Sequence, residues 1–144
     1  MAAATPAIHD LARRVIAFET ARDPSDGPGG AAVRACETLR VPLAKLAGVA
    51  GFRSLMTRAV ALATADVPWL AAVRVRADGS VEGFAEARTD PGAMSGGDAG
   101  GVVVVRLLGL LVTFIGEPLT LGLVRDAWPD APAVETDRST RGQP

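Results

Sequence analysis

The chain has 144 residues, a hydrophobic fraction of 49% and a formal net charge of −1 at pH 7. This length suits one domain with its own core, and the near-neutral charge argues against a nucleic-acid partner. A single cysteine excludes an internal disulfide and fits a reducing cytoplasm. The N-terminus has no long apolar run after a basic cluster, so it does not predict a secretion signal.

The first predicted element is an amphipathic helix over Pro6–Arg22. Its apolar residues recur at steps of three and four, and Thr5 suits the N-cap with Pro6 in the first turn. The segment DPSDGPGG, residues 23–30, is expected to be a loop because glycine, proline and aspartate dominate it.

Three further helices are predicted between residues 31 and 65. One should cover Ala31–Arg40, a short second one should begin at Pro42, and a third should cover Phe52–Ala65. Gly48 and Gly51 are expected to separate the last two.

The hydrophobic period then changes. Residues 73–76 alternate apolar and basic side chains, and Asp78-Gly79 follows as a turn pair, which predicts a small β-hairpin near residues 73–84. The glycine-rich stretch Thr89–Gly101 is expected to be a mobile linker. It lacks the lysine and the preceding strand of a phosphate-binding loop.

The most apolar part of the chain is GVVVVRLLGLLVTFIGEPLTLGLVRDAWP, residues 101–129. Its longest uncharged piece, Leu107–Gly116, is much shorter than the roughly 20 residues that a membrane span needs. Glu117 and Pro118 interrupt every longer window, so no span is expected.

Helical wheels divide this part into two predicted buried helices, Val102–Gly116 and Pro118–Trp128, each with a narrow polar stripe. Arg106 and Thr113 lie on the first stripe. The four valines of Val102–Val105 leave open whether the first element begins as a helix or as a strand.

The fold class that follows is mainly α, a compact bundle of five to seven helices with one small β-hairpin. Residues 1–128 should form a single helical domain. Residues 129–144 are polar and contain proline, so they are expected to be a disordered tail.

No residue pattern predicts catalysis, a metal site or a cofactor. The only histidine, His9, lies on the exposed flank of the first helix without recognisable partners. Cys36 falls on the inner side of a helix, where a buried apolar role is favoured over that of a nucleophile.

Five residues make up the candidate interaction surface: Arg74, Arg76, Trp69, Arg106 and Trp128. The two arginines of the predicted strand could meet an acidic partner, or could keep a sheet edge soluble. The two tryptophans adjoin prolines at helix boundaries, where this residue serves either an interface or the core.

Three stretches, GFRSLMTRAVALATADVPWL, ADGSVEGF and LLGLLVTFIGEPLTLGLVRDAWP, resemble a group of small bacterial helical proteins with no assigned activity. The resemblance covers roughly Ala35 to Pro129. It implies a bacterial, intracellular protein and brings no cofactor, substrate or catalytic residue with it.

The leading functional hypothesis is a non-catalytic cytoplasmic adaptor that acts by protein–protein contact in a bacterial signalling or defence system. Its partner would be a larger signalling ATPase or a second copy of the chain. One alternative is a sensor that encloses a small apolar ligand near Phe52, Met56, Leu110 and Phe114. Another is a peripheral membrane protein that uses the helical hairpin 102–128.

Overall fold

A computed structural model describes residues 6–23, 27–83 and 96–129. Within these ranges the chain is mainly helical, with a small antiparallel sheet of two strands. The helices are α1 (Pro6–Arg22), α2 (Gly27–Asp66), α3 (Gly96–Ile115) and α4 (Glu117–Ala127). A short 3-10 helix (Pro68–Ala72) connects α2 to strands β1 (Arg74–Val75) and β2 (Val81–Glu82).

The expectation of five to seven helices is wrong for the described residues, which form four α-helices. The separation expected at Gly48 is confirmed as a kink with non-helical backbone angles (φ 82°, ψ 162°), whereas the break expected before Pro42 is absent, so α2 is one long kinked helix where three were predicted. Helix α2 also begins at Gly27, within the segment expected to be a loop. Pro42 lies inside the helix without ending it.

Packing explains why the helix continues through Pro42. A proline in a helix interior costs about 3 kcal/mol, but Leu39 and Leu43 are fully buried on either side of it. Each buried leucine contributes roughly 1.5–3 kcal/mol. Ending the helix at this point would take both side chains off the core face. The free energy of burying them therefore outweighs the helix-breaking preference of Pro42.

Helix α1 has the predicted bounds. Its apolar face, with Ile8, Leu11 and Val15 buried, packs against both α2 and α3. Helices α2 and α3 share the most extensive contact in the described fold. Phe52 and Met56 of α2, and Leu107, Leu108 and Leu111 of α3, are among the largest fully buried side chains.

The β-hairpin is confirmed close to the predicted position. Arg74 is opposite Glu82 and Val75 is opposite Val81, in antiparallel register. Gly79 has a φ of 91°, which a residue with a side chain adopts only with strain, and it forms the turn. The hairpin is short and lies against α2, as an isolated two-stranded sheet would be only marginally stable.

The structure resolves the open question about Val102–Val105, which is α-helical. Helix α3 begins at Gly96, so Gly96–Gly101 of the predicted linker is helical too, whereas residues 89–95 lie outside the described residues. The predicted break is confirmed: Gly116 has a φ of 91° and separates α3 from α4. The predicted tail lies, apart from Pro129, outside the described residues.

Candidate interaction surface

The candidate residues from the sequence are mostly engaged within the protein. Arg76 Nε lies 2.8 Å from Glu82 Oε1, and this hydrogen bond and charge attraction raise the pKa of the Arg76 guanidinium above its ordinary value. Arg106 Nη2 lies 2.8 Å from Asp66 Oδ2 and so joins α3 to the end of α2. Arg74 is exposed on β1.

Trp128 differs from what an interface role requires. Trp128 has only 2% of its surface exposed, and its indole Nε1 donates a hydrogen bond of 2.7 Å to Glu19 Oε2. Its side chain therefore belongs to the interior and is not available to a partner in this conformation. The side chain of Trp69 lies outside the described part of the structure.

The single histidine and the single cysteine are where the sequence predicted them. His9 is exposed on α1, and Cys36 is buried on α2. Burial raises the pKa of the Cys36 thiol to about 12, with a smaller contribution from the Glu37 carboxylate. Among the described residues no group of three or more histidine, cysteine, aspartate or glutamate residues could hold a metal ion.

The raised pKa gives a prediction for thiol chemistry. At pH 8 the thiolate fraction of Cys36 should be about 1000-fold lower in the folded protein than in the unfolded chain, since the pKa falls from about 12 to the ordinary 9.0 on unfolding. We expect a disulfide reagent to label the native protein very slowly and the urea-unfolded protein at once. Labelling of the native protein should accelerate as the pH rises above 9. Rapid native labelling at pH 8 would contradict the buried placement.

The described surface carries an open apolar groove between α2 and the end of α3. The groove has a volume of about 450 Å³. Leu43 and Leu111 are buried at its floor, whereas Leu46 and Phe114 line it with 59% and 62% of their surfaces exposed. Ala47, Leu55 and Ile115 complete the apolar side chains of the lining, and the polar ones are Ser54 and Arg58.

The sequence explains why the groove stays open. Gly48 interrupts α2 next to Leu46, and residues 45–50 are all exposed. On the other side, α3 ends at Ile115, one residue before the Gly116 break. Phe114 is therefore near a helix end with solvent beside it, although the helical wheel placed it among the buried residues. This surface was not predicted from the sequence.

One signal in the sequence marks the groove. Between Glu37 and Asp66 the chain has no acidic residue, although this stretch contains basic ones. Lys45, Arg53 and Arg58 are exposed on this part of α2. Within the described ranges none of these three cations has a carboxylate partner. The α2 side of the groove is consequently apolar and positively charged.

The ligand pocket considered at the sequence level does not match the groove. Phe52 and Met56 are fully buried in the core, and Phe114 is the one member of the expected set that lines the groove.

One helical stretch of the described chain, Gly30–Asp66, is long and apolar enough to cross a membrane when judged by length and composition alone. Its most apolar window has a mean hydropathy of 1.2 and is 28% buried. This is weak evidence, because the core helix of a soluble protein can satisfy the same criteria. The stretch contains the Gly48 kink and the exposed cations of the groove.

Comparison with known proteins finds no matching family model, no matching curated protein and no matching solved structure.

Proposed function

We propose that the protein is a non-catalytic protein–protein interaction module and that the groove is its binding surface. The observation that carries the proposal is the exposure of Leu46 and Phe114 beside a buried apolar floor. Contiguous apolar surface on a folded chain commonly marks a contact site. Covering each of these two side chains would contribute about 1.5–3 kcal/mol.

The chemistry of the groove supports binding over catalysis. Ser54 and Arg58 are the polar side chains that line it, and neither has an adjacent histidine or carboxylate in the described structure that would act as a general base. An apolar pocket surrounded by more polar groups is the usual form of an energetic hot spot in a protein interface.

The proposal keeps the partner class suggested by the sequence. The groove would contact a protein of a bacterial signalling or defence system in the cytoplasm, either a larger ATPase or a second copy of this chain. The predicted interaction residues Arg74, Arg76 and Arg106 would then contribute at most to the periphery of the contact, since the last two are held in ion pairs of their own.

A second candidate function is binding to the surface of a membrane. It is favoured by the apolar character of Gly30–Asp66 and by the unopposed cations of α2, a combination typical of helices that lie on anionic lipid. In this case α2, and not the 102–128 hairpin, would form the contact.

Two matched pairs of variants test the proposed function. Leu46→Asp and Phe114→Asp place a charge in the groove, while Val41→Asp and Leu119→Asp place one outside it. The pairs are matched in exposure, at 59% for Leu46 and Val41, and at 62% and 64% for Phe114 and Leu119. All four positions are exposed, so each substitution should change the free energy of unfolding by no more than about 0.5 kcal/mol.

The measurement begins with capture of partners from a lysate of the source organism, followed by reconstitution with the purified partner. We expect each groove variant to weaken the reconstituted complex about 100-fold, and each control to change its Kd less than 3-fold. Self-association would appear as a concentration-dependent mass with the same variant pattern. A protein that stays monomeric and forms no reconstituted complex would refute the proposal, as would groove variants that bind like the wild type.

A further inference from the structure

We propose that the occupant of the groove is an amphipathic α-helix of a protein partner, with acidic residues along the side that faces α2. This inference rests on the proposed function and adds the shape and charge of the partner. It depends on three observations: the helical walls of the groove, its depth, and the exposed cations of α2, of which Arg58 lines the groove while Lys45 and Arg53 directly precede the lining residues Leu46 and Ser54.

The walls of the groove determine the kind of segment that fits. Both walls are α-helices, so the groove offers no sheet edge to an extended peptide. Recognition must therefore use side chains. An amphipathic helix presents apolar side chains from successive turns along one line, which is the arrangement that an elongated apolar groove accepts.

The charges beside the groove determine the sign of the partner. Other cations nearby are neutralised: Arg40 pairs with Glu37 at 2.9 Å, and Arg106 pairs with Asp66 at 2.8 Å. Lys45, Arg53 and Arg58 have no such carboxylate within the described ranges, and all three lie on α2. A partner with acidic residues opposite them gains charge complementarity, faster association and selectivity against basic segments.

A carboxylate near the other wall of the groove indicates which way the acidic side of the partner helix faces. Glu117 is exposed at the start of α4, two residues after Ile115. It is the carboxylate nearest in sequence to the α3 wall, so the acidic side of the partner should face α2 and its other flank should face α3. A helix with acidic residues on both flanks would be repelled at Glu117 and would therefore bind less tightly.

The depth of the groove favours a protein helix over a lipid surface. The groove has a volume of about 450 Å³ beside the exposed Leu46 and Phe114, so a flat bilayer in contact with these outer side chains would leave that volume unfilled. Apolar side chains of a helix would reach into this space. In contrast, membrane binding would use the protruding Val41 and Leu119 as much as Leu46 and Phe114.

The test uses two synthetic probe helices with the same leucine stripe. One carries glutamates along one flank and the other carries lysines at the same positions, and fluorescence anisotropy measures their binding to the full chain. We expect the acidic probe to bind at least about 10-fold more tightly than the basic probe at low salt. The preference should shrink as salt screens the charges.

Substitutions of the cations provide the matched control. Arg58→Gln should weaken binding of the acidic probe several-fold, whereas Arg74→Gln on β1 should leave it unchanged. The double variant Arg53→Glu with Arg58→Glu should reverse the preference and favour the basic probe. A reversal of preference shows that the variant remains folded, because an unfolded chain would bind neither probe selectively.

Lys45 allows the orientation to be mapped, because it is the only lysine in the chain. A carbodiimide, which joins a carboxylate to an amine with loss of water, should cross-link the acidic probe to the Lys45 Nζ when the probe's own N-terminus is acetylated. Lys45→Arg keeps the charge, so the anisotropy signal should persist while this cross-link disappears. Cross-links confined to the N-terminal amine would contradict the proposed placement.

The outcomes separate this inference from the proposed function. If both probes bind equally and Phe114→Asp abolishes both, the groove is a docking site but the acidic partner is wrong. If neither probe binds while a reconstituted partner still depends on Phe114, the helical occupant is wrong. A third outcome is that the chain floats with phosphatidylglycerol vesicles but not with phosphatidylcholine vesicles, and that Val41→Asp prevents this as strongly as Leu46→Asp. Membrane binding would then replace both the proposed function and the acidic helical partner.

Discussion

Replacing Glu19 with alanine is expected to lower the free energy of unfolding by about 3–5 kcal/mol, the range found when one partner of a buried charged network is removed. Glu19 has 2% of its surface exposed and lies on α1. Its carboxylate accepts the 2.7 Å hydrogen bond from Trp128 Nε1 and lies 3.5 Å from Arg34 Nε. Without it, a buried indole N–H loses its acceptor and the partly buried Arg34 loses one counter-charge.

Urea unfolding followed by circular dichroism measures this effect, and Arg22→Ala is the matched control. Arg22 also pairs with Glu19, at 3.2 Å, but its side chain is 60% exposed. Removing it should cost only about 0.2–1 kcal/mol, as for other exposed ion pairs. Glu19→Gln should fall between the two, since the amide oxygen can still accept from the indole. Equal losses for Glu19→Ala and Arg22→Ala would contradict the role given to this carboxylate.

This cluster shows which part of the fold was not predictable from the sequence. The bounds of α1, the Gly116 break and the hairpin turn depend on local patterns, and each was predicted. The contact between Glu19 and Trp128 joins residues separated by 109 positions. A carboxylate on an amphipathic helix indicates a solvent-exposed position, and a tryptophan beside a proline fits either a surface or a core position. Only their mutual burial identifies both as interior residues.

The two errors in α2 and at the groove have a common physical origin. Pro42 and Gly51 are local signals that favour a break, but the energy of burying Leu39 and Leu43 depends on helices elsewhere in the chain. A helical wheel likewise shows which side chains share a face, without showing where the neighbouring helix ends. Phe114 belongs to the apolar face of α3 and is exposed beside a kinked part of α2.

Sequence reasoning selected cations other than those of α2. Alternation in residues 73–76 drew attention to Arg74 and Arg76, but Arg76 is neutralised by Glu82 across the hairpin. The cations of α2 lie in a stretch whose most evident feature is hydrophobicity, and the absence of acidic residues there attracts less notice. An unopposed charge beside exposed apolar surface is a better indicator of a binding site than alternation on a short strand.

The second large effect is expected where the hairpin turn meets the core. Phe52 is fully buried, and a Cβ atom added at Gly79 would collide with its ring. Phe52→Ala should cost about 3–5 kcal/mol. Gly79→Ala should cost about 2–4 kcal/mol, because alanine is strained at a φ of 91° and also presses on the ring. Gly48→Ala separates the backbone strain from the collision with the ring, since Gly48 has a φ of 82° but nothing within 4 Å of the added atom. It should therefore lose about 1–3 kcal/mol, from backbone strain alone, since its ψ is 162°.

The double variant Phe52→Ala with Gly79→Ala tests the contact directly. Removing the ring makes room for the new methyl group, so the combined loss should be smaller than the sum of the single losses by about 0.5–3 kcal/mol. Gly48→Ala combined with Phe52→Ala should be additive within about 0.5 kcal/mol, because the added atom at Gly48 meets no side chain. Urea midpoints and slopes of the five variants give these terms. Additivity in the Phe52–Gly79 pair would show that the turn does not rest on the ring.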